Sequence, residues 1–383
     1  MKKPVYFDYH STTPCDPAVL EAMMSHFSAD KFGNPGAKSH AHGRKAAATL
    51  EEVKDKIGAL IGAGGEAITL TSGATESNNL ALLGLAAKAT GRKEIVMSSI
   101  EHNCVSNTAE YLSKHGFILK TVPVTKDGFV QPEELKKYVS DKTLVVCLIT
   151  ASHEIGTIQP LKEAAKIAHA AGALLHTDAT QAAGKIPLNV NDLEVDLLSF
   201  SAHKLYGPAG IGALYVRQKP PFSIDRIMFG GEQQRLRPGT VPLALTVGFG
   251  EACRVAGAGL EVNSKRLGHL ADLLLKGLKD KIPGLGVNGG RPCLPGLLNI
   301  RLPGVSAQDI MLELSNDLCM STGAACASAQ RKPSPILKAI GLSDQEVDAS
   351  LRLTLGRGTT EEEVQFAAEA LANAVRKLSK QAA

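Results

Sequence analysis

In residues 195–208, VDLLSFSAHKLYGP, an apolar strand-like run ends abruptly in Ser201, His203 and Lys204. A lysine at the end of a buried strand is badly placed to keep a solvated charge. Desolvation lowers the pKa of such an amine and makes it nucleophilic. An amine of that kind can hold an aldehyde cofactor as an imine, and pyridoxal phosphate is the usual one. The competing reading of Lys204 is a strand-end side chain that reaches out to water.

Three other strand ends carry residues that suit the same cofactor. In ITLTSGATESNNLAL, residues 68–82, a strand runs into Gly73 and then into a helix that starts near Thr75. Exposed backbone N–H groups and the positive helix end make a phosphate site there, with hydroxyls from Ser72 and Thr75. Plain capping of the helix is the alternative. The strand before Glu101 is followed by His102, which could stack on a flat ring or move protons, or simply fill a loop. In ALLHTDATQ, residues 173–181, Asp178 ends an apolar strand and calls for a cation, either a pyridinium nitrogen or a basic side chain. Gln181 follows within reach of the same ring.

Two stretches nearer the C-terminus add chemistry. SLRLTLGR, residues 350–357, alternates strictly, so Leu351, Leu353 and Leu355 take one face and Arg352 and Thr354 the other. An arginine there could clamp a carboxylate bidentately, or could be an ordinary surface charge. STGAACASA, residues 321–329, surrounds Cys326 with small residues that leave a thiol accessible. Cys319 and Cys326 fit no usual zinc spacing, and His10, His40 and His42 make a poor metal site.

The elements that must position these groups alternate. Strands are expected over 67–70, 94–98, 117–124, 143–150, 173–178, 195–200 and 211–216. Helices are expected over 44–61, 75–90, 104–115, 132–139 and 160–171. Residues 1–43 read as an arm with loops and a short strand near 6–9. The alternation predicts an α/β domain with a mostly parallel sheet covered on both faces. After about residue 245 the pattern changes to long helices over 246–255, 263–281 and 360–380, with strands at 298–302 and 351–355. We therefore expect a large domain at 15–255 and a smaller α+β domain built from 1–14 and 256–383.

The totals bound the partners. The chain has 383 residues, 44% of them hydrophobic, which is enough for a large domain and a smaller one. The net charge of +4 is scattered and aromatics make up 4%, so neither a nucleic-acid footprint nor a base-stacking surface is expected. The N-terminus lacks the apolar stretch of a signal peptide, and no run is long enough to span a bilayer. Seven irregularly spaced cysteines argue for a reducing, cytoplasmic setting.

Taken in order, FDYHSTTPCDP, GNPGAKSHAHGRKA, TLTSGATESNN, EHNCV, HEIGTIQPL, HTDATQAAGK, SFSAHKLYGPAGIGALY, RPGT, STGAACASA and LRLTLGR cover nearly the whole chain. Together they resemble the cysteine desulfurases of the iron–sulfur-cluster and nitrogen-fixation type, within the class V aminotransferase family. STGAACASA resembles the group with the catalytic cysteine on a long mobile loop. The resemblance implies the fold type I pyridoxal-phosphate architecture, a homodimer, L-cysteine as substrate and a sulfur-acceptor protein as partner.

By position it implies that Lys204 is the Schiff-base lysine, Asp178 the partner of the pyridinium nitrogen, and Gln181 the contact of the ring hydroxyl. His102 would stack on the ring and help to move protons. Ala74, Thr75, Ser201 and His203 would bind the phosphate region, and Thr240 would reach the other subunit's phosphate. Cys326 would carry the persulfide, with at most transient iron–sulfur ligation and no resident metal, and Arg352 would clamp the substrate carboxylate.

The chain departs from the family pattern twice. Ser152 and His153 stand where two asparagines usually precede Glu-Ile-Gly, so His153 takes the place of a residue that touches cofactor and substrate. GGEQQRLRPGT is one glycine short before Leu236, which bears on the loop near Thr240. A selenocysteine lyase or another class V aminotransferase would use the same cofactor site. A non-catalytic scaffold homologue is the remote alternative.

Overall fold

The structure, a computed structural model, describes residues 4–218, 223–231, 233–322 and 333–382. In chain order its elements begin with β1 (Val5–Tyr6), α1 (Pro17–Ser25), α2 (Ala41–Ala59), β2 (Ile68–Thr71), α3 (Ala74–Lys88), β3 (Glu94–Ser98), α4 (Asn103–Ser113) and β4 (Ile118–Val122). There follow α5 (Pro132–Tyr138), β5 (Thr143–Cys147), α6 (Leu161–Ala170), β6 (Leu174–Asp178), β7 (Leu197–Ser201) and β8 (Gly212–Val216). The rest comprises α7 (Leu243–Ala258), α8 (Leu260–Lys281), β9 (Gly286–Val287), β10 (Leu297–Arg301), α9 (Ala307–Glu313), β11 (Leu318–Cys319), α10 (Pro335–Ala339), α11 (Asp344–Asp348), β12 (Ser350–Thr354) and α12 (Glu361–Ala382).

Seven strands form one sheet in the order β2-β8-β7-β6-β5-β3-β4. From β7 to β4 every neighbouring pair is parallel, and β8 runs antiparallel to β7 and β2. Because two antiparallel steps cancel, β2, β3, β5, β6 and β7 all point their carboxyl ends at the same edge. Strands β3, β7 and β8 are buried at every position, as sheets covered on both faces require. In α6 the buried Leu161, Ala164, Ala165 and Ala168 repeat at helical spacing, and Gly172, at φ +70°, turns the chain out of the helix.

The apolar side chains gather into two main cores. One lies under the sheet and against α2 and α7, with Ile57, Leu175, Phe200 and Phe249 fully buried. The other joins Val5 and Phe7 to residues of α8, β10, β12 and α12. The first turn of α12 is closed reciprocally, with Glu363 N–H donating to Thr360 Oγ1 at 3.2 Å and Thr360 N–H donating to Glu363 Oε2 at 3.0 Å. A side-chain cap of this kind is worth about 1 kcal/mol.

Two local differences from the sequence reading have physical reasons. The arm at 1–43 contains the helix α1, started by Asp16, whose Oδ1 accepts from Ala18 N–H at 3.0 Å, and by Pro17 in the first turn. Its apolar residues make no clean stripe, since Val19 is buried while Leu20 and Met24 are exposed. In β12 the face carrying Arg352 and Thr354 is buried too, at 3% and 0% exposure, because the N-terminal segment lies over it. Asp8 bridges to Thr354 there, and His10 N–H donates to Thr354 Oγ1 at 3.1 Å. Among the described residues no single helix is long and apolar enough to cross a membrane.

Candidate active site

Beyond the shared carboxyl edge of the sheet lies a cavity of about 960 Å³, where open parallel sheets place their ligands. Lys204, Asp178, His102, His153 and Arg352 all line it, as do Ala74, Thr75, Gln181, Ser201 and His203. These residues are spread over almost 280 positions of sequence, and the topology brings them together by ending β2, β3, β5, β6 and β7 on one side.

Lys204 sits in the short 3-10 turn that follows β7. Its Nζ donates to the backbone carbonyls of His10 and Ser11, at 2.6 Å each. Those carbonyls tie the amine to the N-terminal segment. Asp178 ends β6, the strand next to β7. Its Oδ1 accepts from Thr180 N–H at 2.9 Å and its Oδ2 from Asn78 Nδ2 at 2.8 Å. Both bonds fix its direction.

His102 caps α4, its Nδ1 accepting from Cys104 N–H at 3.2 Å, and the Cys104 Sγ lies 2.9 Å from the same nitrogen. A neutral ring whose Nδ1 accepts carries its proton on Nε2. Cys104 itself is inert as a nucleophile. Burial first, and Asp178 next, push its thiol far above the usual range.

At the other end, α3 begins at Gly73 with no side-chain cap, so its first N–H groups, including those of Ala74 and Thr75, remain available. Gly73 has φ +154°, and a Cβ added at Gly212 would lie 2.7 Å from the Gly73 Cα, so two glycines permit this close strand-to-loop approach. Ser201 is buried at the end of β7, and His203 Nδ1 lies 3.1 Å from Thr12 Oγ1. Burial, then Lys204 and Lys185, hold the His203 imidazole neutral by lowering its pKa to about 4.

Arg352 reaches the cavity from β12. Its Nη2 donates to Asp8 Oδ1 at 2.8 Å and to Ser11 Oγ at 3.3 Å, and its Nη1 donates to the His153 carbonyl at 2.9 Å. Its Nε is buried with no hydrogen-bond partner among the described residues. Gln181 Nε2 donates to the His10 carbonyl, and its Oε1 accepts from Lys185 Nζ, both at 2.9 Å. Burial, with Lys204 and Arg352 adding to it, pushes the Lys185 amine well below the usual lysine range.

The donor set fits pyridoxal phosphate. A helix N-terminus and hydroxyls stand ready for a dianion, a fixed carboxylate for a cationic ring nitrogen, an imidazole for the ring face, and an amine for the aldehyde. The unpartnered Nε of Arg352 leaves a donor for a carboxylate.

Two of the expected site residues fall elsewhere. Thr240 is exposed and does not line the cavity of its own chain. Its loop is closed by Gly239 N–H donating to Gln233 Oε1 at 2.9 Å and by Gln234, which exchanges bonds with the Leu70 backbone at 2.8 and 3.1 Å. Cys326 lies outside the described residues. The chain on either side of 323–332 touches the site: Ser321 bridges to Arg352, and Pro333 lines the cavity.

Sequence reasoning passed over Asn78, Cys104, Glu154, Asp8 and the two carbonyls that hold Lys204. Asn78 lies one helical turn beyond Ala74, a spacing that puts both on the same face of α3. The carbonyls carry no side-chain signal at all.

The family model described as aminotransferase class-V matches residues 5–366 of this chain. The cysteine desulfurase IscS of Rickettsia akari is 40% identical over 380 residues, spanning 98% of this chain and 92% of the relative. Among solved structures, a NifS-like protein superposes with a TM-score of 0.89 at 34% identity, covering 98% of this chain and 99% of its own. SspA in complex with cysteine gives a TM-score of 0.81 at 32% identity, covering 92% and 98%.

Proposed function

The chain belongs to the class-V aminotransferase family and is a pyridoxal-phosphate-dependent cysteine desulfurase, and from that premise we propose how its own residues divide the work. Lys204 anchors the cofactor through Nζ and, once displaced, holds and moves the proton taken from the substrate Cα. Asp178 keeps the ring nitrogen cationic. The N-terminus of α3, with Thr75, Ser201 and His203, holds the phosphate. Gln181 meets the ring hydroxyl, and His102 covers the ring face. Arg352 binds the carboxylate of L-cysteine. When bound, pyridoxal phosphate supplies the electron sink that makes the Cα–H bond labile.

Cys326, as thiolate, attacks the sulfur of the substrate. A sulfur–sulfur bond forms, the carbon–sulfur bond breaks, and L-alanine leaves with a persulfide held on Cys326. That sulfur passes to an acceptor protein, as in iron–sulfur cluster assembly. The enzyme acts in the cytoplasm as a homodimer in which Thr240 of one subunit serves the phosphate of the other.

The observation that carries these roles is the placement of Asp178, at the end of β6, and Lys204, in the turn after the adjacent β7, on one cavity that Arg352 also lines. The test is alanine and sulfide release from cysteine by purified protein. Wild-type enzyme should form alanine, and Cys326→Ser should keep the absorption of bound cofactor while forming none. Normal turnover by Cys326→Ser would remove the thiol from the reaction.

A further inference from the structure

Two imidazoles meet in the cavity. The rings of His102 and His153 stand edge to face, 5.0 Å between centroids and 70° between planes. Their surroundings differ. His102 spends its Nδ1 on the start of α4. His153 has a buried Nδ1 with no hydrogen-bond partner among the described residues, and its Nε2 is 3.8 Å from Glu154 Oε1, beyond hydrogen-bond distance. Leaving a buried polar nitrogen unpaired costs roughly 1–3 kcal/mol, so holding this imidazole in the cavity wall is a cost that a purely structural side chain would not carry.

The backbone holds the ring there. Gly156 N–H donates to the Ser152 carbonyl at 3.0 Å, closing the turn that carries His153, and Arg352 grips the His153 carbonyl. The imidazole thus hangs between the residue that covers the cofactor and the residue that takes the substrate carboxylate. An α-amino acid whose carboxylate sits on Arg352 brings its ammonium group into that same space.

We propose that His153 is a second acid–base imidazole of this site, accepting the proton that the ammonium of the incoming amino acid must shed before its amine can act as a nucleophile. The inference rests on the desulfurase reading and adds a residue to it. An N–H bond of the ammonium breaks and leaves its electron pair on nitrogen. A new N–H bond forms on the imidazole, the charge moves to the ring, and nothing is oxidised or reduced.

Burial and the charges around His153 keep its ring unprotonated. It faces the cations Arg352 and Lys204, the imidazoles of His102 and His10, the carboxyl of Glu154, and Asp8 beyond Arg352. Burial first, then His102, Arg352 and Lys204, push its pKa well below the usual histidine value, so the ring waits in the neutral, proton-accepting form. Glu154, whose carboxyl burial raises to about 7, accepts from Ser334 Oγ at 2.6 Å.

The test uses His153→Asn and His153→Ala in the cofactor-loaded enzyme, with NMR of the cofactor-free protein beside it. Both variants should keep the cofactor absorption, and kcat/KM for cysteine should fall roughly 10²–10³-fold. Added imidazole should restore part of the His153→Ala rate in proportion to its neutral fraction. The Cε1–H signal missing in His153→Asn should hold its neutral position where an exposed histidine titrates. Variants within about twofold of wild type, a loss without imidazole rescue, or an ordinary titration of that signal would each overturn the proposal. A wild-type enzyme that makes no alanine overturns the desulfurase reading and this proposal with it. An active wild type with indifferent variants overturns this proposal alone.

Discussion

Asn78 and Asp178 are joined at 2.8 Å, Nδ2 to Oδ2, across the gap between α3 and the end of β6. On the proposed roles, one helix would serve both ends of the cofactor: its first turn lines the cavity where the phosphate would bind, and its second turn holds the carboxylate that would meet the ring nitrogen. Asn78 Nδ2 also donates to Cys104 Sγ at 3.0 Å, which ties in the cap of α4.

Asn78→Leu keeps the side-chain volume and removes that donor. A hydrogen bond to a charged group is worth about 1.5–3 kcal/mol, so cofactor affinity should fall on the order of 10- to 100-fold. Titrating cofactor-free protein and following the absorbance measures it. An unchanged affinity would mean that Thr180 N–H and Cys104 Sγ hold Asp178 in place without Asn78.

Lys204→Ala should abolish the absorption of the covalently held cofactor and leave no measurable alanine formation. Lys204→Arg keeps a cation near the His10 and Ser11 carbonyls but cannot form the imine, and should be equally inactive. Retention of the wild-type spectrum by either variant would assign the anchor elsewhere.

Arg352→Lys replaces a planar fork by a point charge. Three hydrogen bonds, to Asp8, Ser11 and the His153 carbonyl, now orient the guanidinium, and a lysine cannot reproduce them together with a carboxylate. KM for cysteine should rise about 10- to 100-fold, with a smaller change in kcat. Steady-state kinetics at saturating cofactor separates the two constants, and an unaltered KM would dismiss the clamp.

Glu101 is buried, accepting from Ser98 Oγ and Ile149 N–H, and burial raises its pKa from 4.5 to about 7. The folded state thus holds this proton more tightly than the unfolded chain. The resulting stabilisation is complete below about pH 4.5 and is lost as pH rises through about 7, for a span of at most about 3 kcal/mol. Glu101→Gln, which cannot ionise, should match wild type near pH 5 and exceed it near pH 8. Urea unfolding at both values checks this, and parallel pH dependence in the two proteins would refute it.

The site was readable in the sequence where a side chain ends a patterned element. Asp178 ends an apolar strand, Lys204 and His102 follow one, and β3 appears over the residues its pattern predicts. What escaped was long-range or carried by the backbone. The alternation in β12 assigns Arg352 to the face opposite the leucines but is silent on what covers that face, and the answer lies more than 340 residues away in Asp8. Likewise no pattern marks the carbonyls of His10 and Ser11 as acceptors for Lys204, because every residue has a carbonyl. The family resemblance supplied roles for single side chains; the ties between them became visible only in three dimensions.

The N-terminal segment pairs β1 with β11, bridges to β12, gives carbonyls to Lys204 and a carboxylate to Arg352, and sends Asp16 to Arg357. It works as a clasp stitched to both halves of the molecule at once. The same short stretch, Asp8 to Ser11, therefore holds both Lys204 and Arg352, and a change made there would reach the two side chains together.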